Sequence, residues 1–268
     1  MRMKLLIGLL MLSPWVWASN RVINGKPVEK ADPSYWMTVR LMQRTSYGGW
    51  LPNCTATIVG ADLILTAAHC VEKLTVETLL VGYEVQPFSF GIQQNPNTYV
   101  DVEKKFTTSK LMKFVIHPQY KANKLNHDLA LIRILGKIPS NFKAATLLPE
   151  DIMAKMALDR PYAFQILGYG LLSEDPVIES KVLRSSTLYG FFTEDHIVMD
   201  QTKGVGGCLG DSGGPAFINV RGQSYLVGIT QGAVESPGCS GKGAWSNPSR
   251  ESEFLNQAAS ELESQTRF

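Results

Sequence analysis

Charged side chains are scarce in this chain. Asp, Glu, Lys and Arg make up 19% of its 268 residues, while 44% are apolar and 23 glycines and 14 prolines punctuate the rest. That composition excludes a disordered tail or a long coiled coil and fits a globular, turn-rich body. An excess of either charge is missing too. The formal balance is +2, but Arg2, Lys4 and Arg21 sit in a leader-like segment; without them 23 basic residues face 24 acidic ones. No basic stripe offers a surface to nucleic acid. Long hydrophobic runs are likewise absent. The apolar stretch near the N-terminus, Leu5 to Val16, falls short of the ~20 residues that span a bilayer. Behind Arg2 and Lys4, and ahead of Val16-Trp17-Ala18, it reads as a cleavable secretory signal rather than an anchor. Histidine is rarer still: His69, His117, His127 and His196 are the full set, and all precede residue 212. His69 adjoins Cys70, yet no second Cys or His stands at ligand spacing, so no metal site is expected.

What is present is a series of short strand signals. Thr55–Val59 and Leu63–Thr66 flank Gly60-Ala61-Asp62, and Asp128–Leu135 partly alternates before Gly136. Tyr162–Leu167 stops at Gly168-Tyr169-Gly170, and Ser224–Thr230 follows the turn Val220–Gly222. Short β-branched segments with regular Gly, Pro and Asp punctuation predict an all-β sandwich or barrel, not alternating βαβ units. One helix is expected, over about 251–262. There Phe254, Leu255, Ala258, Ala259 and Leu262 share a face, and Ser249 is the expected N-cap after Pro248. Gln93–Asn97 and Ser173–Pro176 read as surface loops. An exported chain can keep disulfides. Cys54, Cys70, Cys208 and Cys239 allow three pairings, and counting does not choose among them.

Three islands carry chemistry. Gly207 to Pro215, around Ser212, holds four glycines, which let the backbone take positive φ and let a substrate carbonyl come close. Acyl transfer needs backbone N–H groups aimed at a developing oxyanion, and Gly210 and Ser212 are placed to supply them. A structural turn is the bland alternative. The string Gly210-Asp-Ser-Gly-Gly214 also fits the nucleophile elbow of α/β-hydrolases, but those enzymes place their histidine after the serine, and here none follows. The second island is Leu65-Thr-Ala-Ala-His-Cys70, where small residues ahead of His69 suit a crowded position that fixes the ring. The third is His127-Asp-Leu-Ala-Leu-Ile-Arg133. Asp128 there enters an apolar strand, which is costly for a carboxylate without a partner.

Taken together, in the order His, Asp, Ser, the three islands resemble the signature segments of chymotrypsin-like serine proteases, and the resemblance extends from Val22 to the final helix. It implies two packed six-stranded antiparallel β-barrels with a C-terminal α-helix. The segments would be a signal peptide (1–18), a short propeptide (19–21) and a protease domain (22–268). Its first barrel would cover about 22–140 and its second about 141–250. The resemblance also implies roles. His69 takes the proton of Ser212, Asp128 holds the imidazole, and the Gly210 and Ser212 amides form the oxyanion hole. It pairs Cys54 with Cys70 and Cys208 with Cys239. Arg21-Val-Ile-Asn-Gly25 resembles a zymogen activation junction, so cleavage after Arg21 by another protease would free the Val22 ammonium to pair with Asp211.

The departures concern specificity. The pocket floor, aspartate in trypsin-like enzymes, is Gly206 here, followed by Gly207, so a substrate cation would be buried unpaired. Neutral residues are therefore expected at P1, the position on the acyl side of the cut. Gly232, Ala233 and Gly243 are the expected walls. Either Thr230 or Gln231 takes a position the family gives to serine, no tryptophan follows, and Glu235 stands near the rim. The resulting expectation is a secreted, monomeric endopeptidase, extracellular or periplasmic, with protein or peptide substrates and no cofactor. An inactive binding protein on the same fold and a secreted esterase are the rivals.

Overall fold

The computed structural model describes residues 23, 25–46, 48–83, 107–122, 124–234, 238–264 and 266–268. The signal and propeptide, with Arg21 and Val22, lie outside them, as do Gln93–Asn97 and Glu235.

A two-residue strand β1 (Lys26–Pro27) opens the described chain. Six strands then close the first barrel: β2 (Thr38–Arg44), β3 (Trp50–Ile58), β4 (Leu63–Thr66), β5 (Leu79–Gly82), β6 (Thr108–Ile116) and β7 (Ala130–Ile134). They run antiparallel in the order β2-β3-β4-β7-β6-β5, with β5 returning to β2. β4 and β5 are buried on both faces, and their sequences, LILT and LLVG, accordingly run apolar instead of alternating.

The second half contains β8 (Tyr162–Gly168), the hairpin β9 (Leu171–Glu174) and β10 (Val177–Glu179), β11 (Arg184–Phe192), β12 (His196–Asp200), β13 (Pro215–Val220), β14 (Gln223–Ala233) and β15 (Lys242–Ser246). The order β11-β12-β15-β14-β13-β8 closes because β8 pairs with β11, and β1 lies along the outer edge of β11. Alternation is strict in β11, where Arg184, Ser186, Leu188, Gly190 and Phe192 point inward. The expectation of two six-stranded antiparallel barrels is met. The Ser173–Pro176 segment, expected as a surface loop, is the exposed tip of the β9–β10 hairpin and contains a cis Asp175–Pro176 bond.

The C-terminal helix spans Ser252–Glu261. Its buried residues, Phe254, Leu255, Ala258 and Ala259, with Leu262 just beyond, join the core cluster of the first barrel, although the helix follows the second. Burying each large apolar side chain there contributes about 1.5–3 kcal/mol. Arg133 fastens the end of the helix, donating from Nη1 to the Leu262 carbonyl at 2.6 Å and from Nε to Asp62 at 2.9 Å. Ser249 is not its N-cap. Asn247 accepts the Ser249 N–H and caps a separate 3-10 turn, Pro248–Arg250, so the helix starts after Glu251 without a side-chain cap.

Candidate active site

His69 and Asp128 meet because β4 and β7 are antiparallel neighbours. Thr66 pairs with Ala130, so the residues just past the end of β4 face those just before β7. His69 sits in a 3-10 turn, Ala68–Cys70, behind two alanines with no exposed surface. Asp128 binds it twice. Oδ2 lies 2.7 Å from His69 Nδ1, and Oδ1 accepts the His69 backbone N–H at 2.9 Å. With Asp128 nearly buried and Nδ1 held to it, a neutral ring carries its proton on Nδ1 and leaves the Nε2 lone pair free. The Cys54–Cys70 disulfide closes the loop behind His69, and a loop of this length is worth about 3 kcal/mol by the chain-entropy account. Beside the pair, burial, with the charges of Asp128 and Glu72, pushes the Tyr120 phenol up to about 12.

Ser212 belongs to the turn before β13 and is held by backbone. Its carbonyl accepts the Thr55 N–H at 2.9 Å, and Thr55 Oγ1 donates to the Gly210 carbonyl at 2.8 Å, which ties the turn to β3 of the first barrel. Gly213 and Thr230 exchange a further bond, Gly213 N–H to Thr230 O at 2.8 Å. Gly210 has φ +93°, a conformation natural to glycine, and neither its N–H nor that of Ser212 has a protein acceptor among the described residues. Ser212 Oγ donates to the Gln231 carbonyl at 3.3 Å rather than to His69. The two side chains nevertheless line one cavity of about 460 Å³.

The side chain of Gln231 also reaches towards the first barrel. Its Nε2 donates to Ser246 Oγ at 2.8 Å and also contacts the Leu125 carbonyl. Ser246 Oγ in turn donates to the Asp128 carbonyl at 3.1 Å. The second barrel thereby buttresses the backbone of Asp128 in the first, an arrangement that no local sequence signal marked.

Asp211 is buried beside Ser212. Its Oδ1 accepts the Gly170 N–H at 2.7 Å and its Oδ2 the Cys208 N–H at 2.8 Å. Burial raises its carboxyl to about 6, against the two N–H groups and the Arg40 charge, which pull it down. A Cβ on Gly168 or Gly170 would lie 2.0 or 2.5 Å from Asp211 atoms. The glycines that read as a strand terminator are thus the cradle of this carboxylate. Nearby, the Ile23 carbonyl accepts the Gly206 N–H at 3.2 Å.

Of the expected pocket residues, Gly207, Gly232, Ala233 and Gly243 line the cavity shared by His69 and Ser212. Gly206 does not reach it. The Gln201 side chain stands in front, and a Cβ on Gly206 would lie 2.1 Å from Gln201 Oε1. Sequence reading missed Gln201 because it enters the pocket from the preceding turn, outside every motif. The bridges present are Cys54–Cys70 and Cys208–Cys239, and the second joins the serine turn to the far wall.

A second cluster lies behind the site. Glu251 holds His117 Nε2 at 3.2 Å and His127 Nδ1 at 2.8 Å. Burial acts to raise the Glu251 carboxyl, but the bonds and charges of the two histidines together hold it below the usual carboxylate range. The imidazoles stack 4.4 Å apart at 16°. Near-parallel stacked rings share no in-plane point close to both, so their lone pairs cannot converge on one ion. Gln119 N–H also donates to His117 Nδ1, which occupies the nitrogen that a metal-bound ring would use as a donor. This is a hydrogen-bonded strut between the residue preceding Asp128 and the C-terminal helix.

Comparison with known proteins agrees with this geometry. The Trypsin family model matches residues 22–246. Chymotrypsin-like elastase family member 1 of Canis lupus familiaris is 27% identical over 235 residues, covering 82% of this chain and 83% of that protein. The Macaca fascicularis protein of the same name is 28% identical over 237 residues, covering 82% and 81%. Brachyurin of Leptuca pugilator is 28% identical over 189 residues, covering 66% and 74%.

Proposed function

From the premise that the chain belongs to the trypsin family and is a serine endopeptidase, we propose that Ser212 is its nucleophile, His69 its general base and Asp128 the carboxylate that orients His69. The observation that carries this is the convergence of the His69–Asp128 pair from one barrel and Ser212 from the other on a single cavity. An unassisted serine hydroxyl is a poor nucleophile at neutral pH. The lone pair on His69 Nε2 takes its proton as Oγ attacks the scissile carbonyl. The oxyanion that forms is received by the Gly210 and Ser212 N–H groups. His69 then hands the proton to the leaving amine, and water repeats the sequence on the acyl-enzyme. Throughout, Asp128 stays ionised and stabilises the imidazolium.

The finer reading follows from the same residues. The chain is made with a signal peptide (1–18) and a propeptide (19–21), is exported to an extracellular or periplasmic space, and acts there as a monomer on protein or peptide substrates. Another protease activates it by cutting after Arg21. Two observations support Asp211 as the acceptor of the new Val22 ammonium: burial raises its carboxyl, which a cation would relieve, and Ile23 is bonded to Gly206. Neutral residues are favoured at P1, because Gly206 stands where trypsin-like enzymes have the floor aspartate. The test is cleavage of a peptide library by the chain processed to Val22, with Ser212→Ala as control. Cuts after neutral residues that vanish in the control support the whole reading; cuts after Arg or Lys reject the P1 preference, and no cuts at all reject the catalytic assignment.

A further inference from the structure

Gln201 closes the pocket that the nucleophile faces. Only 4% of the residue is exposed, and its backbone is fixed by bonds to Gly241 and Gly204. Its Oε1 accepts the Gly207 N–H at 2.5 Å. That backbone donor dictates which end of the amide is oxygen, so Nε2 is turned the other way, towards Gly243, where a Cβ would lie 3.0 Å from it. Nε2 has no protein acceptor among the described residues, and it is not sealed away, since Gln201 lines the cavity shared by His69 and Ser212. The pocket therefore ends in an immobilised, unused hydrogen-bond donor.

We propose that Gln201 is the residue that selects the P1 side chain, and that it favours uncharged side chains ending in an acceptor, the carboxamides of Gln and Asn, over Met and Leu. This rests on Ser212 acting as the nucleophile. An apolar P1 side chain fills the cavity but strands the Nε2 donor away from water, and a site built to hydrogen-bond its substrate rejects the analogue that lacks the group. An acidic P1 residue could accept the same bond, but the Glu174 carboxylate also lines the cavity and opposes a second negative charge. A basic P1 residue would meet the Nε2 donor where it needs an acceptor, and the one acidic side chain lining the cavity among the described residues, Glu174, is already engaged by the Cys239 N–H at 2.8 Å.

The test uses the full chain processed after Arg21 and peptides that differ only at P1, carrying Gln, Asn, Met, Leu, Glu or Arg. The wild type is expected to cleave the Gln peptide at least about tenfold better than the Met peptide in kcat/KM. Gln201→Met keeps the volume and removes the donor, and it should erase that ratio. Gln201→Glu keeps an acceptor for the Gly207 N–H and replaces the donor with a carboxylate, and it should move the optimum to Arg by a similar factor. A small organophosphonate that labels Ser212 without entering the pocket counts the competent sites in each protein. Normal labelling with an unchanged P1 profile in the variants overturns the role of Gln201 and leaves the protease reading intact. Absence of both labelling and cleavage in the wild type overturns the protease reading and this assignment with it. If Gln201→Met does not fold, Gln201→Glu decides alone, because it preserves the bond to Gly207.

Discussion

His69 and Asp128 are joined side chain to side chain, at 2.7 Å, inside one barrel whose strand pairing brings them together. Ser212 is placed in another way. Each contact named for its turn has a backbone N–H or carbonyl on at least one side: Ser212 O to Thr55 N–H, Gly210 O to the Thr55 hydroxyl, Gly213 N–H to Thr230 O, and the Asp211 carboxylate to the amides of Gly170 and Cys208. The first barrel thus presents an assembled acid–base pair. The second presents a scaffold of N–H and carbonyl groups, in which the identity of many residues matters less than their backbone conformation. Substitutions in the two halves should therefore fail differently, by loss of a proton carrier in one and by distortion of a turn in the other.

The largest contrast comes from removing the reacting groups. Ser212→Ala is expected to lower kcat by about 10⁶, with the fold intact by circular dichroism, and His69→Ala by as much; since the two act as a unit, the double variant should be no worse than either. Asp128→Asn should lower kcat by about 10⁴, the size typical of this change in Ser-His-Asp proteases, because the amide holds the wrong imidazole tautomer. A small effect there would break the view of the first barrel as an assembled pair.

Asp211 tests the second barrel through pH. Its carboxyl is raised to about 6 in the fold, above the ordinary 3.8. A group that holds its proton more tightly when folded stabilises the fold fully below about 3.8, and the contribution is lost as pH rises through about 6. The loss amounts to about 3 kcal/mol. Melting temperatures of uncleavable Arg21→Ala, read against the same profile for Arg21→Ala/Asp211→Asn, should show this fall between pH 4 and pH 7. In the chain processed to Val22 the fall should shrink or reverse, because an ammonium beside Asp211 favours its ionised form. Equal profiles before and after processing would remove Asp211 as the partner. The smallest effect concerns the link between the barrels. Ser246→Ala removes the donor to the Asp128 carbonyl and should lower kcat about tenfold or less, leaving KM nearly unchanged, in steady-state assays.

The same division explains what could be read from the sequence. Residues of the first barrel's pair stand in conspicuous company, a histidine behind two alanines and an aspartate at the head of an apolar strand, so their patterns are local. Leu63–Thr66 is legible as a strand because its ends are a Gly-Ala-Asp turn and the small residues before His69. The supports of Ser212 are not local. Gly168 and Gly170 read as punctuation because their partner, Asp211, is some forty residues away. Gln201 looked like any polar turn residue, and its contact with Gly206 exists only once the turn is folded. Ser249 had the composition of an N-cap but was pre-empted by Asn247, a competition between adjacent turn formers that composition does not resolve.

The docking of the Ser252–Glu261 helix on the first barrel has a consequence for biosynthesis. All six strands of that barrel are specified by residue 134, yet its buried apolar cluster includes Phe254, Leu255 and Ala259 of the helix. At ~5–20 residues per second, about 120 residues of further translation separate the last strand from the helix, an interval on the order of ten seconds. Through that interval the nascent barrel lacks the helix side chains that complete its apolar cluster, and the His127–Glu251 strut behind Asp128 is missing as well. A growing chain therefore carries His69 and Asp128 on a barrel whose core is completed only once the Ser252–Glu261 helix has been made.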